Sequence, residues 1–379
     1  MIDGTVFETD ATRLPRIMQC YASTQMPSIV PDFDDDPTAR DEGNAAHWMA
    51  QQVFNGKDLD TLIDRKAYNG VLMDAEMARH VRSYLIALDC GSMEIITSFT
   101  GDGWRINSRA DHIVYNPNHV IEYVNGGNGN VLEHCESVLT IDDFKYGFRL
   151  VEPEMNWTLI AHALGYCLNN NVRPDKIIFR IHQPRRFHPE GPLREWVIDY
   201  ATLSELYWQI DATLRSGDMT LRTGPFCVNC HAAPNCPAWR EASMNALDAT
   251  SRFFTDNLSC GDISDELTLL EHANTIIAGR LKALKELATH KIANGDVIPD
   301  YVVEQKWGNR KFKVNAAYIK ALTNVSPTIE TLCTPAELIR RGVDEAIVNM
   351  ISERPNAGRS LVRVDANKRA QRILGKRSK

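Results

Sequence analysis

The sequence has little of what marks an exported or membrane-bound protein. Its first ten residues, MIDGTVFETD, are acidic and contain no apolar core of a signal peptide, and no apolar run is long enough to cross a bilayer. We therefore expect a cytoplasmic protein that has no membrane partner. In that reducing compartment the nine cysteines are not expected to form disulfides, which leaves metal binding, catalysis or burial as their roles.

An excess of positive charge is also missing. Lysine and arginine number 42 against 49 acidic residues, and the formal net charge is -7. Global charge thus does not indicate a nucleic-acid-binding protein, although a local basic patch can exist within an acidic total. There is no internal repeat and no G-x-S-x-G elbow, so a Ser-His-Asp hydrolase has no support. At 379 residues the chain can form two domains or one large one.

The hydrophobic pattern predicts a mixed α/β protein. Apolar spacing predicts helices over residues 42–55, 76–90, 154–169, 202–215 and about 270–288, the last ending at Gly295. Short β-prone runs fill residues 94–145 and 176–184, and the NGGNGN stretch at 125–130 is typical of a hairpin connection. We expect a central mixed sheet flanked by helices, followed by an α-rich C-terminal region.

The stretch LTIDDFKYGF, residues 139–148, carries unusual charge for the end of a strand. Side chains alternate between the faces of a strand, so Asp143 and Lys145 share one face with Leu139 and Ile141. An isolated surface ion pair would look the same and would contribute little. Asp142 points to the opposite face, where we expect a solvated or capping residue.

Two further residues favour a metal site. Asp111 lies on an earlier predicted strand, and His47 lies on the first predicted helix beside its apolar stripe. Carboxylate oxygens are the ligands that Mg²⁺ and Mn²⁺ prefer, and a bound cation can neutralise a phosphate and acidify water. A neighbouring lysine can stabilise the charge that develops on the phosphate. This order of His, Asp and Asp-x-Lys predicts a metal-dependent phosphodiesterase.

The strings EGNAAH, RAD and IDDFKYG, taken together, resemble the RecB-like branch of the PD-(D/E)xK nucleases. That resemblance implies a restriction-endonuclease-like fold in which His47, Asp111, Asp143 and the Phe144 carbonyl bind the metal. Asp111, Asp143 and Lys145 would be the catalytic residues. In the following helix, Thr158 and His162 stand where the family has Gln and Tyr. This departure concerns substrate positioning, and His162 could be a polar contact to DNA or a buried structural histidine.

The cysteines suggest a second metal centre. FCVNCHAAPNC contains Cys227, Cys230 and Cys236, and Cys20 is the candidate for a fourth ligand. Some RecB-like nucleases hold a [4Fe-4S] cluster on one cysteine before and three after the nuclease core, and the arrangement here resembles theirs. Zn²⁺ on the same four thiolates remains an alternative, as does His231 in place of Cys20. The C-x-x-C-H string also matches haem attachment, which requires an exported protein.

The resemblance extends to a phage-associated family of such nucleases, so we expect a DNA exonuclease in phage recombination or processing, in the host cytoplasm. A single-strand annealing protein is the implied partner, and a ring or dimer could supply processivity. Residues 1–240 would form the nuclease domain and 241–379 the α-rich region with a basic tail. An inactive DNA- or protein-binding member of the fold, or a zinc-stapled phage assembly protein, is the alternative. Possible DNA contacts are Thr158, His162, Gln183, Arg185, Arg310 and Lys311.

Overall fold

The computed structural model describes residues 6–27, 37–124, 131–250 and 259–303. The chain divides into two compact units, residues 1–304 and 305–379, and every described residue belongs to the first. Arg310, Lys311, the basic tail and the 125–130 connection therefore lie outside the described residues. The division into domains near residue 240 stays a prediction.

The described unit consists of seven helices and eight strands, with short 3₁₀ turns between them. The helices are α1 Leu14–Ile17, α2 Pro37–Phe54, α3 Ala75–Ile86, α4 Trp157–Asn170, α5 Tyr200–Ser216, α6 Pro237–Thr250 and α7 Cys260–Ala293. The strands are β1 Phe7–Asp10, β2 Arg65–Lys66, β3 Leu72–Met73, β4 Ser92–Gly101, β5 Trp104–Val124, β6 Val131–Phe144, β7 Lys176–His182 and β8 Leu193–Ile198.

Six of the strands form one mixed sheet in the order β1-β5-β6-β7-β8, with β4 also pairing with β5. The β4–β5, β5–β6 and β7–β8 pairs are antiparallel, whereas β1–β5 and β6–β7 are parallel. The parallel β6–β7 pair requires a crossover, and α4 provides it. Because β6 lies between β5 and β7, its last residues are surrounded by structure on both sides.

The sheet is covered on both faces. One core joins odd-numbered β6 residues such as Leu139 and Ile141 to α1, α4 and α5. A second core joins Phe144 and Tyr146 to α2 and α3. α4 packs closely on β4 at Gly165. A Cβ added there would clash with Thr97 Oγ1, so only glycine allows this approach.

Local signals in the sequence explain where these helices begin and end. Asn156 caps α4 by accepting hydrogen bonds from the N–H groups of Thr158 and Leu159, at 3.1 and 3.4 Å. α7 starts with a Ser259–Asp262 capping box and ends just before Gly295, whose φ is 93°. The predicted helices and the central mixed sheet are confirmed. β1, β8 and the short β2–β3 pair are additional strands, and no described helix is long and apolar enough to span a membrane.

Candidate metal-dependent active site

The candidate site lies at the end of β6, which pairs with β5, and β5 in turn pairs with β4. Asp143 on β6 is 5% exposed, and both of its carboxylate oxygens lie 2.8 Å from Lys145 Nζ. The side chain of Lys145 is 36% exposed, whereas its partner is buried. This pair is therefore not the isolated surface ion pair that the sequence left open.

Asp111 on β5 connects the helix α2 to the end of β6. Its Oδ1 lies 3.4 Å from His47 Nδ1, and its Oδ2 accepts a hydrogen bond from the Phe144 N–H at 2.8 Å. The His47 ring also packs against the Phe144 ring, with centroids 5.5 Å apart. The structure thus brings together His47, Asp111 and the Phe144 backbone, and Asp143 and Lys145 follow on the same strand end.

Glu94 is a site residue that the sequence analysis missed. His47, Glu94 and Asp111 each offer one ligand atom, and these three atoms lie within 4.8 Å of one another. This cluster can hold a divalent metal ion, since it combines an imidazole with two carboxylates. Asp143 is not in this trio, and both of its oxygens lie 2.8 Å from Lys145 Nζ. No motif indicates Glu94, which lies within an ordinary β-prone run.

β4 is irregular at Glu94, the residue opposite Asp111. Met93 pairs with His112 and Ile95 with Ala110, so the register skips Glu94, which would face Asp111. Glu94 has φ 54°, a left-handed conformation that is strained for any residue other than glycine. Among the described residues its ion-pair partner is Arg109, whose Nε lies 3.2 Å away. A residue with a strained backbone conformation is therefore one of the three candidate ligands.

The charges of the site act strongly on one another. Burial alone would raise the pKa of Asp111, but the neighbouring His47 and Lys145 charges hold that pKa well below its usual range. Burial would lower the pKa of Lys145, but the Asp143 and Asp111 carboxylates raise it above the ordinary lysine value. Lys145 is therefore a cation at neutral pH, suited to stabilise negative charge and unsuited to accept a proton.

The arrangement disfavours the ionised form of the Glu94 carboxyl group. Its pKa is raised, first by burial and second by the negative charge of Asp111, and Arg109 offsets this only in part. A cation bound between Glu94 and Asp111 would relieve this repulsion. The donor set and its unbalanced negative charge therefore fit a bound Mg²⁺ or Mn²⁺.

The opposite face of β6 also carries a buried polar network. Asp142 is fully buried and lies 2.9 Å from His112 Nδ1 on β5 and 2.8 Å from His182 Nε2 on β7. The expectation that Asp142 is solvated is wrong, because α2 and α3 cover that face of the sheet. Burial would raise its pKa, but the two hydrogen-bonded histidines lower it, so the carboxylate stays ionised.

Two expected DNA contacts on the chain have other partners. His162 on α4 is 3% exposed, and its Nδ1 shares a hydrogen bond with the Ser108 hydroxyl. Gln183 is fully buried, and its amide donates to the Gly147 and Arg149 carbonyls at 2.9 and 2.6 Å. Neither side chain reaches the surface. We therefore assign both a structural role in place of the expected direct contact with DNA.

The other two described candidates are partly accessible. The Thr158 hydroxyl donates a 3.4 Å hydrogen bond to the Ala11 carbonyl. Arg185 pairs with Glu42 at 2.9 Å, and its side chain is 17% exposed. Arg185 is thus held in place by the protein itself, and its contact with DNA remains a prediction.

The four candidate cysteine ligands lie around one cavity, although they are far apart in sequence. Cys20, Cys227, Cys230 and Cys236 all line it, together with the apolar side chains of Met26, Leu221, Phe226 and Trp239. All four are free thiols. His231 is not among the lining residues, and its Nε2 lies 3.2 Å from the Met26 carbonyl oxygen. Burial raises the pKa of Cys227 to about 11.

Comparison with known proteins defines the family. A family model described as "Protein of unknown function (DUF2800)" matches residues 11–344. The chain belongs to this family. The DUF2800 match includes His47, Glu94, Asp111, Asp143 and Lys145, and it includes the four cysteines around the cavity.

Beyond DUF2800, the matching solved structures include a distant one. It is a candidate exonuclease from Eubacterium rectale with 13% identity and a TM-score of 0.28, covering 61% of this chain and 81% of that chain. At this level the similarity carries no argument about activity. No curated protein matches the chain.

Proposed function

We propose that this protein is a metal-dependent nuclease that hydrolyses DNA phosphodiester bonds, acting as an exonuclease. One observation carries the proposal. Three carboxylates, one histidine and a lysine paired with a buried aspartate lie together at one end of the sheet. His47, Glu94 and Asp111 would hold Mg²⁺ or Mn²⁺, with Asp143 and the Phe144 carbonyl as additional oxygen donors. When bound, such an ion supplies positive charge against the phosphate and acidifies water.

Within this proposal the side chains of the protein have distinct tasks. Asp143 accepts a hydrogen bond from Lys145 at Oδ1 and pairs with the same ammonium group at Oδ2, which fixes the direction of that group. Lys145, kept protonated by its neighbours, would face the scissile phosphate and stabilise the charge that builds up in the transition state. Asp111, anchored by the Phe144 N–H, would keep its carboxylate pointed at the cation.

The cysteine cavity supports a second part of the proposal. Four thiolates at Cys20, Cys227, Cys230 and Cys236 would bind a [4Fe-4S] cluster, and Zn²⁺ is the alternative occupant of the same donor set. Either one would tie the start of the chain to the segment after α5 and close a long loop. Iron and acid-labile sulfide in a brown anaerobic preparation would support the cluster, whereas zinc in a colourless one would replace it.

The resemblance to phage-associated nucleases supports a narrower biological setting. We place the activity in phage DNA recombination or processing in the host cytoplasm, beside a single-strand annealing protein. Co-purification of the tagged protein with such a partner from infected cells tests that setting independently of the chemistry.

The decisive experiment uses anaerobically purified protein and end-labelled single- and double-stranded DNA, with Mn²⁺, Mg²⁺ or EDTA. We expect degradation that requires the metal and disappears in Lys145→Ala. Lys176→Ala is the matched control, because Lys176 is similarly exposed, at 41%, and pairs with Glu136 at 2.6 Å elsewhere on the sheet.

Equal loss of activity in both lysine variants would indicate a general effect on folding and would remove the support for Lys145. Folded wild-type protein that contains its metal centre and binds DNA without degrading it would overturn the nuclease proposal. That result would make the protein a binding member of the fold.

A further inference from the structure

A stack of rings and one guanidinium leads from the candidate site to the surface. Tyr84 stacks on Phe144 with centroids 4.6 Å apart, and Phe144 contacts Tyr146 at 6.1 Å. The Arg185 guanidinium carbon then lies 4.5 Å from the Tyr146 ring and 4.3 Å from the Phe148 ring. The inner members are buried, whereas Phe148 is 58% exposed. The stack therefore ends in an aromatic ring that faces solvent.

The middle of this stack is held rigidly. Arg185 Nη1 bonds Glu42 Oε2 at 2.9 Å, which ties the guanidinium to α2. Tyr146 is 5% exposed and also packs edge-on against His80. Since Arg185 is already covered by Tyr146 and neutralised by Glu42, the protein does not need Phe148 to bury it. Phe148 is thus an exposed ring stacked on a fixed guanidinium, a position from which it can contact a ligand.

The loop that presents Phe148 is clamped from beneath by two buried side chains. The Gln183 amide donates to the carbonyls on either side of Phe148, those of Gly147 and Arg149, at 2.9 and 2.6 Å. Arg194, 3% exposed, donates to Val151 O at 2.6 Å and to Gln183 Oε1 at 2.9 Å. A loop held by buried amide and guanidinium groups presents its side chain in one position, which reduces the entropy that binding must remove.

Two more arginines lie near this stack in the sequence. Arg149 follows Phe148 directly, Arg186 follows Arg185, and both are exposed. Within the described part of the chain, neither pairs with a carboxylate. An exposed aromatic ring accompanied by available cations is a combination that binds single-stranded nucleic acid, since bases stack on the ring and phosphates pair with the arginines.

The position of Phe148 close to the candidate site indicates whether the DNA substrate is single- or double-stranded. Phe148 comes three residues after Lys145, so their Cα atoms are at most about 11 Å apart. A base in a duplex is stacked on both faces and paired at its edge, so neither face is available to a protein ring. We propose that Phe148, backed by Arg185, stacks an unpaired base of single-stranded DNA beside the scissile phosphate. This inference rests on the proposed nuclease function and adds the strand state of its substrate.

The test measures binding separately from cleavage. Oligonucleotides with 2-aminopurine near one end, single-stranded or in a duplex, are titrated with the full-length protein in EDTA. We expect wild-type protein to quench the single strand more than the duplex. Phe148→Ala should bind the single strand about five-fold to a hundred-fold more weakly and lose the quenching.

Three further variants separate stacking from general effects. Phe148→Trp keeps an aromatic face and should retain quenching, whereas Phe148→Leu keeps apolar cover over Arg185 but should behave like Phe148→Ala. Trp208→Ala removes another exposed ring, 61% accessible on α5, and should bind like the wild type. In Mn²⁺, Phe148→Ala should raise KM for single-stranded DNA more than it lowers kcat.

Each result has a defined meaning. Unchanged single-strand affinity in Phe148→Ala, or full quenching in Phe148→Leu, would overturn the stacking inference even if the protein cleaves DNA. Absence of DNA binding by the wild type would also overturn it. Phe148-dependent binding by a protein that does not cleave would support the inference while refuting the proposed nuclease.

Discussion

Replacing Glu94 by glycine should separate the stability of the site from its function. At φ 54° a side chain costs about 1–2 kcal/mol of backbone strain, which glycine relieves. Glycine in turn widens the unfolded ensemble, at a cost of about 0.4–1 kcal/mol. The ion pair with Arg109 is lost as well, but Arg109 is 71% exposed, so its loss costs about 1 kcal/mol at most.

These contributions nearly cancel in the metal-free protein. The free energy of unfolding of Glu94→Gly in EDTA should lie within about 1 kcal/mol of the wild type. Glu94→Ala keeps the strain and loses the ion pair, so it should be less stable than Glu94→Gly. That order reverses the usual one in strands, where glycine costs about 0.5–1 kcal/mol relative to alanine. Urea unfolding followed by tryptophan fluorescence compares the three proteins.

The response to metal provides the functional half of the prediction. A ligand that binds only the folded state at one hundred times its Kd adds about 2.7 kcal/mol of stability. Mn²⁺ should stabilise the wild type in this way, and Glu94→Gly and Glu94→Gln should lose most of the effect. Glu94→Gln is the matched control, because it keeps the size and the backbone strain while removing the charge.

Two results would refute this reasoning about Glu94. If Glu94→Gly is less stable than Glu94→Ala, the left-handed backbone stores no strain that glycine can relieve. If Glu94→Gln is stabilised by Mn²⁺ as strongly as the wild type, Glu94 is not a ligand, and the proposed cation lies between Asp111 and other donors.

Three further predictions concern other parts of the structure. Asp143→Ala should abolish DNA cleavage and keep the wild-type circular dichroism spectrum; appreciable turnover would place the chemistry elsewhere. Cys227→Ala should lose both visible absorbance and soluble yield, whereas Cys167→Ala, which removes a buried thiol from the sheet core, should keep both; a coloured, stable Cys227→Ala protein would contradict the cluster. Asp142→Ala should cost about 2–6 kcal/mol in urea unfolding, because two buried imidazole donors lose their acceptor; a loss below about 1 kcal/mol would show that they find other partners.

The parts of the site that could be predicted from the sequence are those determined by local geometry. Asp143 and Lys145 are two residues apart, so strand alternation alone puts them on one face. Asp111 could be added because its strand neighbours that of Asp143, as the resemblance implied. The β5–β6 register, with His112 opposite Asp142, then brings the Asp111 and Asp143 positions together.

Glu94 could not be predicted, because its nearness to Asp111 depends on the register between β4 and β5. Met93 pairs with His112 and Ile95 with Ala110, so Glu94 lies opposite Asp111. No local pattern specifies that register. The left-handed conformation of Glu94 could not be predicted either, since glycine or asparagine would be the expected residue there.

Asp142 shows the converse limit. Alternation correctly placed it on the face opposite Asp143, but a charged residue on a strand is ordinarily solvated, and only the packing of α2 and α3 shows that this face is closed. Its partners also come from neighbouring strands, His112 from β5 and His182 from β7. Pairing between strands that are distant in sequence is a property of the register, which no local pattern specifies.

The buried Asp142 network is best understood through the residues next to its members. Buried ionic groups contribute little net stability compared with apolar side chains, so stability alone does not account for Asp142. Its two hydrogen bonds join three adjacent strands at one level. His112 directly follows Asp111, and the His182 carbonyl accepts the Lys145 N–H at 2.8 Å. Asp142 thereby holds the backbone of a candidate metal ligand and that of the candidate catalytic lysine at a fixed separation, a constraint that loosely packed apolar side chains would not impose.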